Sequence, residues 1–202
     1  MNKRQEAQEV LAKAQAKEKR TKILTVALVA AAALAIIVPT AVVLTGAAQE
    51  KSAVAAAAAS PIEGVKDYKV ASANHVDAKV AYAQKPGVGG DHNPVWLNCG
   101  IYEKPVPENN AVHSLEHGAV WVSYDGVSDA ELATLKQDVG EKTYMLLSPY
   151  PDQGAKIKLT AWGEQLSVES ADDPRIAAFV KKYRQGPQTP EPGAPCTGGI
   201  GL

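Results

Sequence analysis

The segment "VHSLEHGAVWVSYD", residues 112–125, changes period partway along. Its first half sets His113 and His117 four residues apart, with Glu116 beside the second. On a helix that spacing puts both imidazoles on one face. Its second half alternates Val120, Val122 and Tyr124 against Trp121 and Ser123, the period-two signature of a strand. Gly118 stands at the change, leaving at most about one or two turns of helix before the strand begins. The segment therefore reads as a core strand entered through a short histidine-bearing turn.

Further strands follow on the C-terminal side. "TYMLLSPY" (143–150) is a short apolar run, and "KIKLTAW" (156–162) alternates Ile157 and Leu159 with lysines, which suggests one wet face. "EQLSVES" (164–170) comes after Gly163 as a hairpin partner, and "VAYA" (80–83) is a candidate short strand. Two helices are marked by their starts. Ser128 and Glu131 form a capping box ahead of Leu132, Leu135 and Val139, and Gly140 closes the pattern. Asp172-Asp173-Pro174 opens the second, whose stripe is Ile176, Phe179, Val180 and Tyr183. Lys181, Lys182 and Arg184 suit its C-terminal end, and Gly186 stops it. The order predicts one α+β domain over 67–202, with a mostly antiparallel sheet and two helices. The tail, 186–202, is rich in proline and glycine and should be extended and irregular.

The N-terminal quarter is different. Residues 1–22 carry seven Lys/Arg against three Glu, hence +4. Residues 23–45, "ILTVALVAAAALAIIVPTAVVLT", carry no charge. With a chain total of −1, the remainder is −5. An uncharged apolar run of 23 residues is long enough to cross a bilayer, and longer than the core of a signal peptide. The cations before it place residues 1–22 in the cytoplasm and 46–202 outside. Membrane lipid is thus an expected partner, with the basic tail, a helical extension of the span, near lipid phosphates. Residues 46–66 read as an alanine-rich stalk or linker. An acidic outer domain argues against nucleic acid.

Cys99 and Cys196 are the only cysteines. Outside the cytoplasm disulfides persist, and two cysteines allow one pairing. It would pin the tail back on the domain and contribute roughly 4–5 kcal/mol by chain entropy. The competing reading makes Cys99 a thiolate ligand beside His92 and leaves Cys196 without a role. All four histidines, His75, His92, His113 and His117, fall within 43 consecutive residues. Imidazole is the commonest side-chain metal ligand. The His113/His117 pair supplies a half-site that His92, in the glycine-rich loop "GVGGDHNPVWLNCG", could complete. Glu116 and the soft thioether of Met145 are further candidates, and His75 is the weakest histidine. Such a set suits copper or zinc over a hard cation. The competing account is local hydrogen bonding of these histidines to Glu116 or Asp91 in a polar patch. Residues 113–117 also spell the H-x-x-E-H pattern of one class of zinc peptidases, but that chemistry needs a sustained helix. No nucleophile elbow, phosphate loop or dinucleotide fingerprint is present, so no enzyme activity is expected.

The motifs "GVGGDHNPVWLNCGIYEKPVPENNAVHSLEHGAVWVSY", "LLSPYP", "LTAWG", "DDPRIAAFV" and "YRQGPQTPEPGAPCTGG" together resemble the bacterial family of unknown function DUF3105, over about Asn74 to Gly199. The positions that fit are His92, Trp96, Cys99, His113, Glu116, His117, Trp121, Trp162 and Cys196. The resemblance implies a bacterial cell-membrane protein with one N-terminal span and carries no activity with it. By analogy, such envelope proteins assist metal handling or the assembly of respiratory complexes. The sequence therefore leads to a non-catalytic, membrane-tethered accessory protein binding copper or zinc through His92, His113 and His117. The alternative is a metal-free module docking on an envelope or membrane-complex partner, with the proline-rich tail as docking element. A metal-dependent hydrolase is a distant third.

Overall fold

A computed structural model describes residues 19–20, 22, 60–140 and 142–201. The chain divides into two compact units, Met1–Ser52 and Ala53–Leu202, and the architecture below belongs to the second. Lys19, Arg20 and Lys22, in the basic segment, are helical and exposed. The rest of that segment, the apolar run 23–45 and the stalk up to residue 59 lie outside the described residues. Among the described residues, no helix is long and apolar enough to cross a membrane.

The elements run β1 (Lys66–Asp67), β2 (Gly100–Ile101), α1 (Glu108–Glu116), β3 (Val120–Tyr124), α2 (Asp129–Gly140), β4 (Met145–Pro149), β5 (Ile157–Ala161), β6 (Glu164–Val168) and α3 (Pro174–Tyr183). They build an α+β domain around one six-stranded sheet of order β1-β6-β5-β3-β4-β2. The three pairings on the β1 side, β1–β6, β6–β5 and β5–β3, are antiparallel. The other two, β3–β4 and β4–β2, are parallel. The sheet is thus mixed, antiparallel in three of its five pairings and parallel in two. The reason is connection length: α2 lies between β3 and β4 and returns the chain to the starting end, whereas Gly163 (φ +75°) turns β5 straight back into β6.

Pleating sorts the side chains onto two faces. On one, Val120, Val122, Met145, Leu147, Ile157, Leu159, Leu166 and Val168 are covered by α2, through Leu135 and Val139, and by α3, through Ile176, Phe179 and Val180. Ile62 and Val65, which the sequence reading left in the linker, pack there as well. On the other face, Trp121, Leu146 and Trp162 meet Leu97, Cys196 and the Ala111, Val112 and Leu115 stripe of α1. The expected wet face of β5 is largely covered: Thr160 is buried, and half-buried Lys158 donates to the Lys85 carbonyl at 2.6 Å. "VAYA" forms no strand.

Both expected caps form. Ser128 N and Oγ donate to Glu131 Oε2 at 2.9 and 2.8 Å, and Glu131 N reaches Ser128 Oγ at 3.4 Å. Asp173 accepts from Arg175 N at 2.9 Å ahead of Pro174. Glu131 also binds Lys156 Nζ at 2.7 Å. That bond, then the Ser128 hydrogen bonds, hold its carboxyl down at about 2, against 4.5 for the free group. A folded-state value below the unfolded one means stability present above pH 4.5 and lost as pH falls toward 2. Glu131→Gln should therefore unfold more easily than wild type at pH 7. That gap should close between pH 4.5 and 2 when urea midpoints are compared.

The third helix, α1, is the departure that matters for the site. The sequence "ENNAVHSLE" offers weak helix formers, and its N-cap Pro107 makes no side-chain cap bond. Burial supplies what propensity does not, since every residue from Asn110 to Glu116 is buried. Its nine residues make about two and a half turns, longer than the sequence reading allowed. It ends where expected, at His117, before Gly118 takes a left-handed φ of +96°.

Candidate metal centre

The sheet face carrying Trp121 is also the histidine side. α1 presents His113 and Glu116, and its C-cap residue His117 follows one turn after His113. His92 comes from the loop ahead of β2 and is fully buried. His75 comes from further upstream and is strapped to His92 by backbone bonds, Val76 N to His92 O at 2.8 Å and His92 N to Asn74 O at 3.0 Å. The ligating atoms of His75, His92, His113 and Glu116 all lie within 4.8 Å of one another. His117 joins through His113, with 2.9 Å between their Nε2 atoms.

The hydrogen bonds settle which ring nitrogens are bare. His92 Nδ1 is 2.7 Å from the Gly90 carbonyl, His113 Nδ1 is 2.6 Å from that of Asn93, and His117 Nδ1 is 2.6 Å from that of Pro195. A carbonyl only accepts, so each Nδ1 carries the proton. In a neutral imidazole so held Nε2 carries no proton, and the Nε2 atoms of His113 and His117 lie 2.9 Å apart. His92 Nε2 lies 3.0 Å from Glu116 Oε2, and neither atom has a hydrogen-bond partner. His75 Nε2 approaches the same oxygen at 3.6 Å. Burial, opposed by the Asn93 hydrogen bond and reinforced by the neighbouring histidines, brings the His113 imidazolium down to about 4. Two acceptors facing each other in a buried site are reconciled by a proton or a metal ion between them.

A tetrahedral site with bonds of about 2 Å sets its ligands roughly 3–4 Å apart. The contacts at 2.9, 3.0 and 3.6 Å fall near that range. An imidazole that donates its second nitrogen to a backbone carbonyl is also the usual second sphere of a metal-bound histidine. Trp162 packs edge-on against His92 at 5.7 Å, and Trp96 lies 5.1 Å from the His117 ring, so the surroundings are partly apolar. His75 is the solvent-facing member, 45% exposed at the side chain against 0% for His92.

The sequence reading names His92, His113 and His117, with Glu116 and Met145 as possible additions; the structure groups His92 and His113 with Glu116 instead. His75, rated weakest, belongs to the four-residue group, and His117 stands at its edge, 3.6 Å from Glu191 Oε2 of the tail. Nothing local in the tail marked Glu191. Met145 does not belong: it shares the opposite sheet face with Val120 and Val122, packed in the core. Glu116 sits among the candidate ligands, not apart from them as the base of an H-x-x-E-H peptidase would. Cys99 and Cys196 form the expected disulfide, 97 residues apart with Cα atoms 5.3 Å apart, which removes Cys99 as a thiolate ligand.

The family model described as a protein of unknown function, DUF3105, matches residues 75–198 and so spans all the residues of this cluster. No curated protein and no solved structure matches the chain.

Proposed function

The chain belongs to the DUF3105 family, and we propose that it is a non-catalytic accessory protein that binds copper or zinc through His75, His92, His113 and Glu116, with His117 as a flanking donor. One observation carries this reading: the ligand atoms of His75, His92, His113 and Glu116 lie within 4.8 Å of one another, with Nδ1 of His92 and of His113 engaged by the Gly90 and Asn93 carbonyls. Three nitrogens and one carboxylate suit these borderline cations better than magnesium or calcium, which prefer oxygen. The apolar run and its charge asymmetry support a bacterial membrane anchor with the domain outside the cytoplasm, where a disulfide persists. In that position the protein would hold a metal beside an envelope or membrane-complex partner.

Titration calorimetry of the full chain in detergent, first stripped with chelator, tests the reading. Zinc or copper(II) should bind tightly at neutral pH, with His92→Ala abolishing the heat. A stripped, folded chain that takes up neither ion leaves the metal-free docking module as the better account.

A further inference from the structure

The tail Gly186–Gly201 has no helix or regular strand, yet it touches the metal centre at three places. The Pro195 carbonyl fixes His117 Nδ1 at 2.6 Å. Glu191 sets its carboxylate 3.6 Å from His117 Nε2, and its amide donates to the Glu116 carbonyl at 3.1 Å. The Thr197 carbonyl accepts from Trp96 Nε1 at 3.2 Å, and the Trp96 ring lies 5.1 Å from His117 and 5.8 Å from His113. Between the first and third of these contacts sits Cys196, joined to Cys99.

We propose that this tail is a redox-released clasp: latched by the Cys99–Cys196 disulfide, it positions His117 and closes the histidine cluster, so that reduction weakens the hold on metal. The inference rests on the metal-binding reading above. Without the latch, the tail is held by hydrogen bonds alone, many of them to residues 96–99, among them Cys99 N to Cys196 O at 2.7 Å, Ile200 N to Trp96 O at 2.9 Å, Gly199 N to Asn98 Oδ1 at 2.8 Å and, elsewhere, Tyr144 Oη to Ala194 O at 2.9 Å. The Pro195 carbonyl is one residue from the linkage and moves with it. When it moves away, the His117 ring is free to rotate and to shift its proton to Nε2, which removes a donor. Losing an orienting partner of this kind costs about 10–100-fold in metal affinity. The redox step balances simply. A dithiol donor gives two electrons and two protons, the S–S bond breaks to two thiols, and the donor closes to its own disulfide.

The test compares zinc affinity, by competition with a chromophoric chelator, in three forms of the full chain: oxidised wild type, wild type reduced with a dithiol and desalted anaerobically, and the Cys99→Ser/Cys196→Ser variant. The last two should bind roughly 10–100-fold more weakly. They should also show altered visible bands when cobalt(II) replaces zinc, a signature that a merely stabilising disulfide would not move. Equal affinities in all three forms overturn the clasp. So does tighter binding by reduced wild type but not by the serine variant, which would make the thiols ligands. Should the serine variant not fold, Gly199→Ala serves in its place. A Cβ there would collide with the Trp96 carbonyl and indole, lifting the tail with the disulfide intact. It should weaken zinc in the same direction, and unchanged affinity overturns the clasp. Absence of zinc binding by oxidised wild type overturns the metal reading itself, a separate result.

Discussion

Glu116→Gln should stabilise the metal-free protein and weaken the metal site, two effects of opposite sign from one atom's change. The carboxylate oxygen of Glu116 faces the bare Nε2 of His92 at 3.0 Å, both buried and both acceptors. A glutamine amide in its place donates an N–H across that gap. A buried polar group left unsatisfied costs about 1–3 kcal/mol, so the variant should gain that order of stability in excess chelator. The same amide offers no anionic oxygen and engages the His92 lone pair. Zinc affinity should fall roughly 100-fold or more, beyond the usual cost of losing an outer-sphere partner. Urea unfolding with and without zinc measures both signs. A variant less stable than wild type in chelator would mean that His92 is an imidazolium paired with Glu116, and would sink the bare-acceptor description.

Trp121→Ala should produce the largest loss of stability in the domain. Trp121 is wholly buried between the sheet and α1, its indole N–H donates to Ser148 Oγ at 2.9 Å, and its ring meets Tyr150 edge-on at 5.8 Å. Truncation of a buried aromatic costs about 3–5 kcal/mol, much of the 5–15 kcal/mol that holds a typical domain together. Trp121→Phe keeps most of the apolar area and loses the donor, at about 1–2 kcal/mol. Urea midpoints should therefore rank wild type, phenylalanine, alanine. A near-neutral alanine variant would show that α1 does not depend on this contact for its place. Because α1 carries His113 and Glu116, the alanine variant should also bind zinc less tightly when assayed at a temperature where it is still folded.

Strands β3, β4, β5 and β6 and the helices α2 and α3 were legible because their signals are local. Period-two alternation, a capping box at Ser128 and Glu131, and Pro174 after Asp173 are each complete within a few residues. α1 was underestimated for the opposite reason. Asn109, Asn110, His113 and Ser114 are poor helix formers, and the helix is maintained by burial on nearly every side. The two parallel pairings were not legible, because apolar patterning does not by itself fix strand direction, and the crossover through α2 decides it. The two-residue strands β1 and β2 are too short to carry a period. Met145 fits both a soft ligand and a core residue by sequence, and only its register opposite Val120, away from Trp121, places it in the core.

For the site, the amino-acid sequence by itself established a dense histidine segment, an i,i+4 pair ending at Gly118, and a single possible disulfide. It did not reveal that His75 stands with His92, His113 and Glu116, or that Glu191 reaches His117 from the tail. Those meetings join segments far apart in the chain. The orientation of three of the rings depends on the carbonyls of Gly90, Asn93 and Pro195, which engage Nδ1 of His92, His113 and His117. Every residue has a carbonyl, so no residue type announces one that will orient an imidazole; only the folded backbone decides which are in reach.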